Sequence, residues 1–354
     1  MPLRVGINGV GRIGRALVRH IVPREDIHLV AANDLLPPDA MARLLARDSV
    51  YGPALFRVRA TEGGLIAGNR RIRLTGTTNP AEIPWPEESV EMVFEATGKF
   101  TRRAEAALHL RGTVNRVIVT ATAPDADMTL LAGINDAAFA PDRHHVVSAG
   151  SCTAQCLGPV LAVLGERFGI VSASMTTIHP YTAHQPLLDG WGGAASDPRR
   201  GRAAGLSMIP TTTTALGAVE SVFPALRGRL TGLAVRVPTP AVSLLELVAT
   251  LERPADEVSL RQAFLDAEAG PLAGILGTAT DEPVSVDLLG DDRAAVVDLP
   301  LTVCVAERLV RVVAWYDNEW AYAGRLVATA LSLARGSNGA AAVSRAARPR
   351  ETGA

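Results

Sequence analysis

The first 34 residues narrow the possible fold more than any other stretch of the chain. Leu3 to Asn8 reads as a buried strand. Gly9-Val10-Gly11-Arg12-Ile13-Gly14 follows, then a helical run from Arg15 to Val22. A second strand, Ile27 to Ala32, ends at Asn33-Asp34. An acid about 20 residues past the third glycine completes a dinucleotide-binding pattern. Gly9 permits a tight turn, Gly11 lets a pyrophosphate approach the backbone, and Gly14 lets helix and strand pack closely. Arg12 and Ile13 then lie by the pyrophosphate, and Asp34 is placed to hydrogen-bond the adenosine ribose. A glycine turn alone also occurs in other α/β proteins; the flanking strands and the acid give this one its meaning.

The pattern continues. Ser89 to Glu95 ends in Ala96-Thr97-Gly98, and Arg116 to Thr120 ends in Ala121-Thr122. Strands that finish in small residues suit a cofactor crevice, with Thr97 and Thr120 facing it. Tyr51 to Pro86 reads as polar hairpins. After Val146 to Ser148 the texture changes. Ser172 to Ile178, Leu230 to Val237, Val242 to Leu251 and Leu309 to Trp315 read as long strands, several of them alternating, which predicts a largely antiparallel sheet. The expected fold is an α/β Rossmann dinucleotide-binding domain plus an α+β catalytic domain with a largely antiparallel sheet. The first would span residues 1–151, completed by a C-terminal helix over 318–334, and the second 152–317. Gly190 to Arg202 reads as a loop, and 336–354 as a disordered tail.

Composition excludes some partners. Among 354 residues, 35 basic and 36 acidic side chains leave a net charge of −1, which gives no reason to expect nucleic acid or an anionic membrane. No run of about 18 apolar residues exists to span a bilayer. The N-terminus enters a strand with no signal peptide, so a cytoplasmic protein is expected. The three cysteines, Cys152, Cys156 and Cys304, are too few for a disulfide framework, and no Cys/His set has metal-ligand spacing.

Cys152 has the most reactive setting. After Val146-Val147-Ser148-Ala149-Gly150, Ser151 is a natural N-cap, which puts Cys152 at the first helical position. Open N–H groups and the positive end of the helix dipole favour an anion there, so a thiol of lowered pKa and a nucleophile are expected. The competing reading is a small buried apolar group, the commoner role of a free cysteine.

Taken together, the motifs resemble phosphorylating glyceraldehyde-3-phosphate dehydrogenase over roughly residues 3 to 334. The carriers are Gly6-Ile7-Asn8-Gly9-Val10-Gly11-Arg12-Ile13-Gly14-Arg15, Asn33-Asp34, Ser151-Cys152-Thr153-Ala154-Gln155-Cys156, Thr177-Ile178-His179-Pro180-Tyr181-Thr182, Arg236-Val237-Pro238-Thr239-Pro240 and Trp315-Tyr316-Asp317-Asn318-Glu319-Trp320. The resemblance implies NAD as cofactor, with triose phosphate and inorganic phosphate as small-molecule partners, and a homotetramer. It implies that Cys152 adds to the aldehyde and that His179 takes the proton as hydride leaves. A thioester would remain for phosphate to attack. Thr182 and Arg236 would serve the substrate phosphate. Ser151, Thr153, Thr213 and the backbone at Thr214 would serve the inorganic phosphate, with Arg199 or Arg200 assisting. Asn318 would hold the nicotinamide, supported by Tyr322. Without the resemblance, His179 reads as a structural histidine, the Thr211 to Thr214 run as a capped helix start, and the arginines as a solvated loop face.

The chain departs from the pattern in places. The family usually has Asn-Ala-Ser-Cys-Thr-Thr-Asn-Cys around the nucleophile, where this chain has Ala154 and Gln155. Thr214 replaces a usual glycine, His184 stands where Asp or Thr is common, and the loop around Gly190-Trp191-Gly192-Gly193 is about two residues longer. The rival readings are an erythrose-4-phosphate dehydrogenase releasing its acyl group to water, an arsenate-using variant, and a catalytically weak regulatory homologue.

Overall fold

The computed structural model describes residues 1–190 and 197–336. The centre of the glycine-rich loop, with Trp191 and its following glycines, and the tail from 337 onward lie outside the described residues.

The first sheet has nine strands. In spatial order they are Met128–Thr129, Val146–Ser148, Arg116–Val119, Met92–Glu95, Leu3–Asn8, Ile27–Asn33, Arg70–Thr75, Gly64–Ala67 and Val58–Thr61. All pairings are parallel except those of the terminal hairpin, Val58–Thr61 with Gly64–Ala67 and Gly64–Ala67 with Arg70–Thr75. Strands covered on both faces must be apolar throughout, and Val5, Ile7, Val93, Phe94, Val117 and Ile118 are fully buried. Leu3–Asn8 has Ile27–Asn33 on one side and Met92–Glu95 on the other. The strand order reverses there, which opens a crevice at the carboxyl ends of these strands.

The helix after the glycine turn runs Arg12–Ile21, starting earlier than the apolar spacing suggested. Its N-cap, Gly11, offers no side-chain acceptor, so the first N–H groups stay open. Gly9 sits at φ +91°, and a Cβ on Gly14 would come within 2.2 Å of the Gly9 carbonyl oxygen. The strand expected from Ser89 begins only at Met92, because Ser89 adopts a left-handed conformation closing the short helical turn Trp85–Glu88.

The second sheet runs Ile209–Thr211, Leu230–Val237, Ile170–Pro180, Ser243–Leu251, Leu309–Tyr316, Ala295–Asp298 and Leu276–Ala279, with Val303–Ala306 pairing alongside Leu309–Tyr316. Its pairings are antiparallel except Ile170–Pro180 with Leu230–Val237 and Leu276–Ala279 with Ala295–Asp298. Ser243–Leu251 alternates strictly: Leu245, Leu247, Ala249 and Leu251 are buried, and the residues between them half-buried. The helices Cys152–Phe168, Ala215–Val222 and Glu257–Ala269 share one core with this buried face. Burying each leucine contributes about 1.5–3 kcal/mol.

The closing helix, Trp320–Arg335, returns to the first sheet. Tyr322, Leu326, Val327 and Ala330 pack in one cluster with Val5, Leu17 and Ile21. Cys152 packs against both cores, at the seam between them.

Candidate active site

Ser151 caps the helix Cys152–Phe168, its hydroxyl oxygen accepting from the Ala154 N–H at 3.1 Å. The turn before it is braced from within. The Gln155 amide donates to the Ala149 carbonyl at 2.9 Å, and the Tyr322 hydroxyl donates to the Gly150 carbonyl at 3.0 Å. The departure at Gln155 is therefore an internal strut of the nucleophile loop. Tyr322, expected to support the placement of the nicotinamide by Asn318, ties the closing helix to that loop.

His179 is the penultimate residue of the strand Ile170–Pro180, and its Nε2 lies 3.4 Å from the Cys152 Sγ. Its neighbour in register on the adjacent parallel strand is Arg236. The Arg236 Nη1 lies 2.5 Å from His179 Nδ1 and 3.2 Å from the Pro180 carbonyl oxygen, and that oxygen is 2.8 Å from Nδ1. The imidazole is buried. Burial first, and the Arg236 charge second, push it down to about 3. Burial likewise pushes the Cys152 thiol up, against the pull of the Arg236 guanidinium. This corrects the expectation of a lowered thiol pKa: desolvation outweighs the helix terminus, and the resting pair is thiol and imidazole.

Thr153 is also placed otherwise than expected. It is buried, its hydroxyl 2.8 Å from the Tyr316 hydroxyl, which is 2.8 Å from the Thr177 hydroxyl. Thr177 donates to the Leu244 carbonyl at 3.1 Å. A carbonyl only accepts, so the direction propagates: Tyr316 donates to Thr177, and Thr153 donates to Tyr316. The Thr153 hydroxyl hydrogen is spent inward, leaving only its backbone N–H for an anion at the helix mouth.

Of the remaining anion candidates, Thr213, Thr214 and Arg200 meet at one helix start. The Thr213 hydroxyl accepts from the Ala215 N–H at 3.2 Å, at the start of the next helix, Ala215–Val222, whose N-cap is Thr214. Thr214 accepts from the Thr122 hydroxyl at 3.2 Å, bridging the end of the first sheet to this helix start. Arg200 reaches the Thr212 carbonyl at 3.0 Å, whereas Arg199 on the short turn Pro198–Gly201 is exposed. Thr182 lies just past the His179 strand, its N–H donating to Gln185 at 3.2 Å. His184 is exposed.

On the crevice side, Asp34 accepts from the Val10 N–H at 2.7 Å and the Leu36 N–H at 3.0 Å, so it also shapes the glycine turn. Nothing lies within 4 Å of a Cβ built on Gly11. Open N–H groups at Arg12 and Ile13, the bare approach at Gly11 and the carboxylate at Asp34 are a donor and acceptor set that fits a dinucleotide. The Arg12 guanidinium itself is taken up by Asp48 and Glu319. Only its backbone is free for the pyrophosphate. Asn318 is buried, its side-chain oxygen accepting from Ser243 at 3.4 Å. The Thr120 N–H donates to the Glu95 carbonyl at 3.0 Å.

One buried network escaped sequence reasoning. Glu95 ends its strand beside Asn8. One carboxylate oxygen accepts from the Asn8 amide at 2.6 Å and from His109 Nε2 at 3.0 Å; the other accepts from the Thr97 N–H at 2.9 Å and from the Thr97 hydroxyl. The Trp85 indole donates to His109 Nδ1 at 3.0 Å, which fixes the proton on Nε2. The Thr97 N–H and hydroxyl are thus both spent on Glu95. A charged residue closing an apolar strand was the available signal.

Among the described residues no group of three or more His, Cys, Asp or Glu is arranged to hold a metal. No helix among them is long and apolar enough to cross a membrane.

Residues 3–103 match the family described as glyceraldehyde 3-phosphate dehydrogenase, NAD binding domain. Residues 151–318 match that described as its C-terminal domain. The chain is 42% identical over 328 residues to a cytosolic glyceraldehyde-3-phosphate dehydrogenase of Ginkgo biloba, covering 92% of this chain and 95% of the plant protein. It is 42% identical over 334 residues to the Geobacillus stearothermophilus enzyme of that name, covering 94% and 99%. To that of Cereibacter sphaeroides it is 43% identical over 337 residues, covering 95% and 99%.

Proposed function

The chain belongs to the glyceraldehyde-3-phosphate dehydrogenase family and is an NAD-dependent aldehyde oxidoreductase, and we propose that it oxidises glyceraldehyde 3-phosphate through a Cys152 thioester, with inorganic phosphate as acyl acceptor and 1,3-bisphosphoglycerate as product. The observation that carries this reading is the contact of the Cys152 Sγ with His179 Nε2 at 3.4 Å, at the mouth of a capped helix.

The chemistry follows from these groups. The thiol gives its proton to His179 as the sulfur adds to the aldehyde carbon, forming a hemithioacetal. The helix-terminal N–H at Cys152 and the imidazolium stabilise the oxygen as charge develops on it, and His179 returns the proton to that oxygen, which makes the hydroxyl and leaves the imidazole neutral again. His179 then takes the hydroxyl proton as the carbonyl re-forms. Bound NAD supplies the acceptor for the hydride leaving the same carbon. Phosphate attacks the thioester carbon, the carbon–sulfur bond breaks, and the sulfur leaves as thiolate. Arg236 and Thr182 would hold the substrate phosphate; Ser151, Thr213 and the N–H groups at the Thr153 and Thr214 positions the attacking one, with Arg199 assisting from its loop. The backbone at Gly9, Gly11, Arg12, Ile13 and Gly14, together with Asp34, Thr97, Thr120 and Asn318, would frame the cofactor. The nucleotide-binding portion is taken as residues 1–151 with the closing helix, and the catalytic portion as 152–317.

A homotetramer is part of this reading. Leu187, Leu188, Leu206 and Met208 are each more than 70% exposed on one loop region, an apolar display that subunit contact would cover. Unpaired Cys152, Cys156 and Cys304 suit a reducing cytosol.

The test is acylation. Mixed with NAD and glyceraldehyde 3-phosphate but no phosphate, the protein should give a burst of NADH and a Cys152-bound acyl mass, and Cys152→Ser should give neither while still binding NAD. Turnover should then require phosphate. Phosphate-independent turnover that favours erythrose 4-phosphate would overturn the assignment.

A further inference from the structure

Two groups compete for the His179 Nδ1, and their demands are opposite. The Pro180 carbonyl, 2.8 Å away, can only accept, so it calls for Nδ1–H. The Arg236 guanidinium, 2.5 Å away, can only donate, so it calls for a bare Nδ1. A neutral imidazole carries one ring proton and satisfies one of them.

Each choice sets the opposite nitrogen. With Arg236 seated on Nδ1, the ring proton is on Nε2 and points at the Cys152 sulfur. The ring then has no lone pair with which to take a proton at the reacting centre. The Pro180 carbonyl is still supplied in this state, by the same Arg236 nitrogen at 3.2 Å. With Arg236 withdrawn, Nδ1–H turns to the Pro180 carbonyl, and Nε2 presents its lone pair to the sulfur and to a hydroxyl formed beside it. Both arrangements leave every polar group near Nδ1 satisfied, so the pair has two complete hydrogen-bonding states.

We propose that Arg236 is a positioning residue that sets the His179 tautomer: seated on Nδ1 it holds the imidazole in the form that cannot act as base, and a dianionic phosphate group on the aldehyde draws it off and exposes the base. The proposal rests on the reading of His179 as base and Arg236 as a ligand of the substrate phosphate. A guanidinium binds phosphate through parallel charge-assisted hydrogen bonds, stronger than its single bond to a neutral imidazole, so the exchange runs in that direction. The consequence is selectivity in the chemical step. An aldehyde without phosphate can reach the sulfur yet meets an imidazole of the wrong tautomer.

The experiment separates the phosphate from the aldehyde. Single-turnover NADH formation is followed with D-glyceraldehyde, which lacks phosphate, with and without inorganic phosphite as a detached dianion. A positioned general base contributes about 100-fold or more, so phosphite should accelerate the burst by at least ~10-fold in the unaltered protein. Arg236→Ala should give a faster burst with glyceraldehyde alone and no response to phosphite. A second readout needs no turnover. In 15N-histidine-labelled protein without NAD, phosphite should exchange which ring nitrogen of His179 is bare, and Arg236→Ala should show the Nδ1–H form without any anion. The His179→Asn spectrum supplies the assignment. An unchanged tautomer on adding phosphite, or a glyceraldehyde burst indifferent to it beside a normal burst with glyceraldehyde 3-phosphate, would overturn the proposal alone. No burst with glyceraldehyde 3-phosphate in the unaltered protein would overturn the underlying reaction as well.

Discussion

The buried imidazole makes acid stability a direct test of the site. In an unfolded chain His179 titrates near its ordinary value of about 6.5, whereas in the fold burial and Arg236 push it down to about 3. Between those values the unfolded chain holds a proton that the folded one refuses, so acid favours unfolding. The stability from an uncharged His179 is complete above about pH 6.5 and is lost progressively as pH falls toward 3. Integrating the linkage to about pH 4.5 gives a loss of ~2.6 kcal/mol, near a hundredfold in the unfolding constant. His179→Asn removes the titrating group. Its urea-unfolding free energy should therefore fall by ~2.6 kcal/mol less than the parent's between about pH 7.5 and about pH 4.5. Both proteins must be compared at one concentration, because the proposed tetramer would make apparent stability depend on it. Equal losses in the two proteins would refute the buried, uncharged imidazole.

Glu95→Gln places an amide NH2 where a carboxylate oxygen accepts two hydrogen bonds. It should cost ~3 kcal/mol or more in urea unfolding; a loss under ~1 kcal/mol would contradict the described network. Tyr316→Phe breaks the hydroxyl line between Thr153 and Thr177 and should cost ~1–3 kcal/mol. It also frees the Thr153 hydroxyl proton, so alkylation of Cys152 by iodoacetamide should quicken, and slower alkylation would argue against the assigned direction of the line. Gly14→Ala brings a methyl within 2.2 Å of the Gly9 carbonyl oxygen. The helix must move off the turn, and calorimetry should show NAD affinity falling at least ~10-fold, ~1.4 kcal/mol.

What the sequence disclosed was local. The glycine turn with Asp34 needs only neighbouring residues and a backbone of known shape, and the Ser151 cap needs three. The longer strands of both sheets were readable because burial on both faces, or alternation, leaves a periodic trace; Met128–Thr129, Ile209–Thr211, Leu276–Ala279, Ala295–Asp298 and Val303–Ala306 are too short to leave one. What it concealed depends on partners far along the chain. Arg12 is separated from Glu319 by most of the sequence, and nothing local says that its charge is spent there. Thr153 sits beside the nucleophile, yet Tyr316 and Thr177 decide where its proton goes. The thiol was expected to be acidic because a helix terminus is visible in sequence, whereas the depth of its burial is not.

The closing helix sets an order on synthesis. The first sheet is complete once residue 148 has been made, but Val5, Leu17 and Ile21 share their core with side chains beyond residue 320. A nascent chain would carry an apolar face uncovered through most of translation, as a surface for chaperones or for neighbouring chains. A shortened product ending before Trp320 would never lose it.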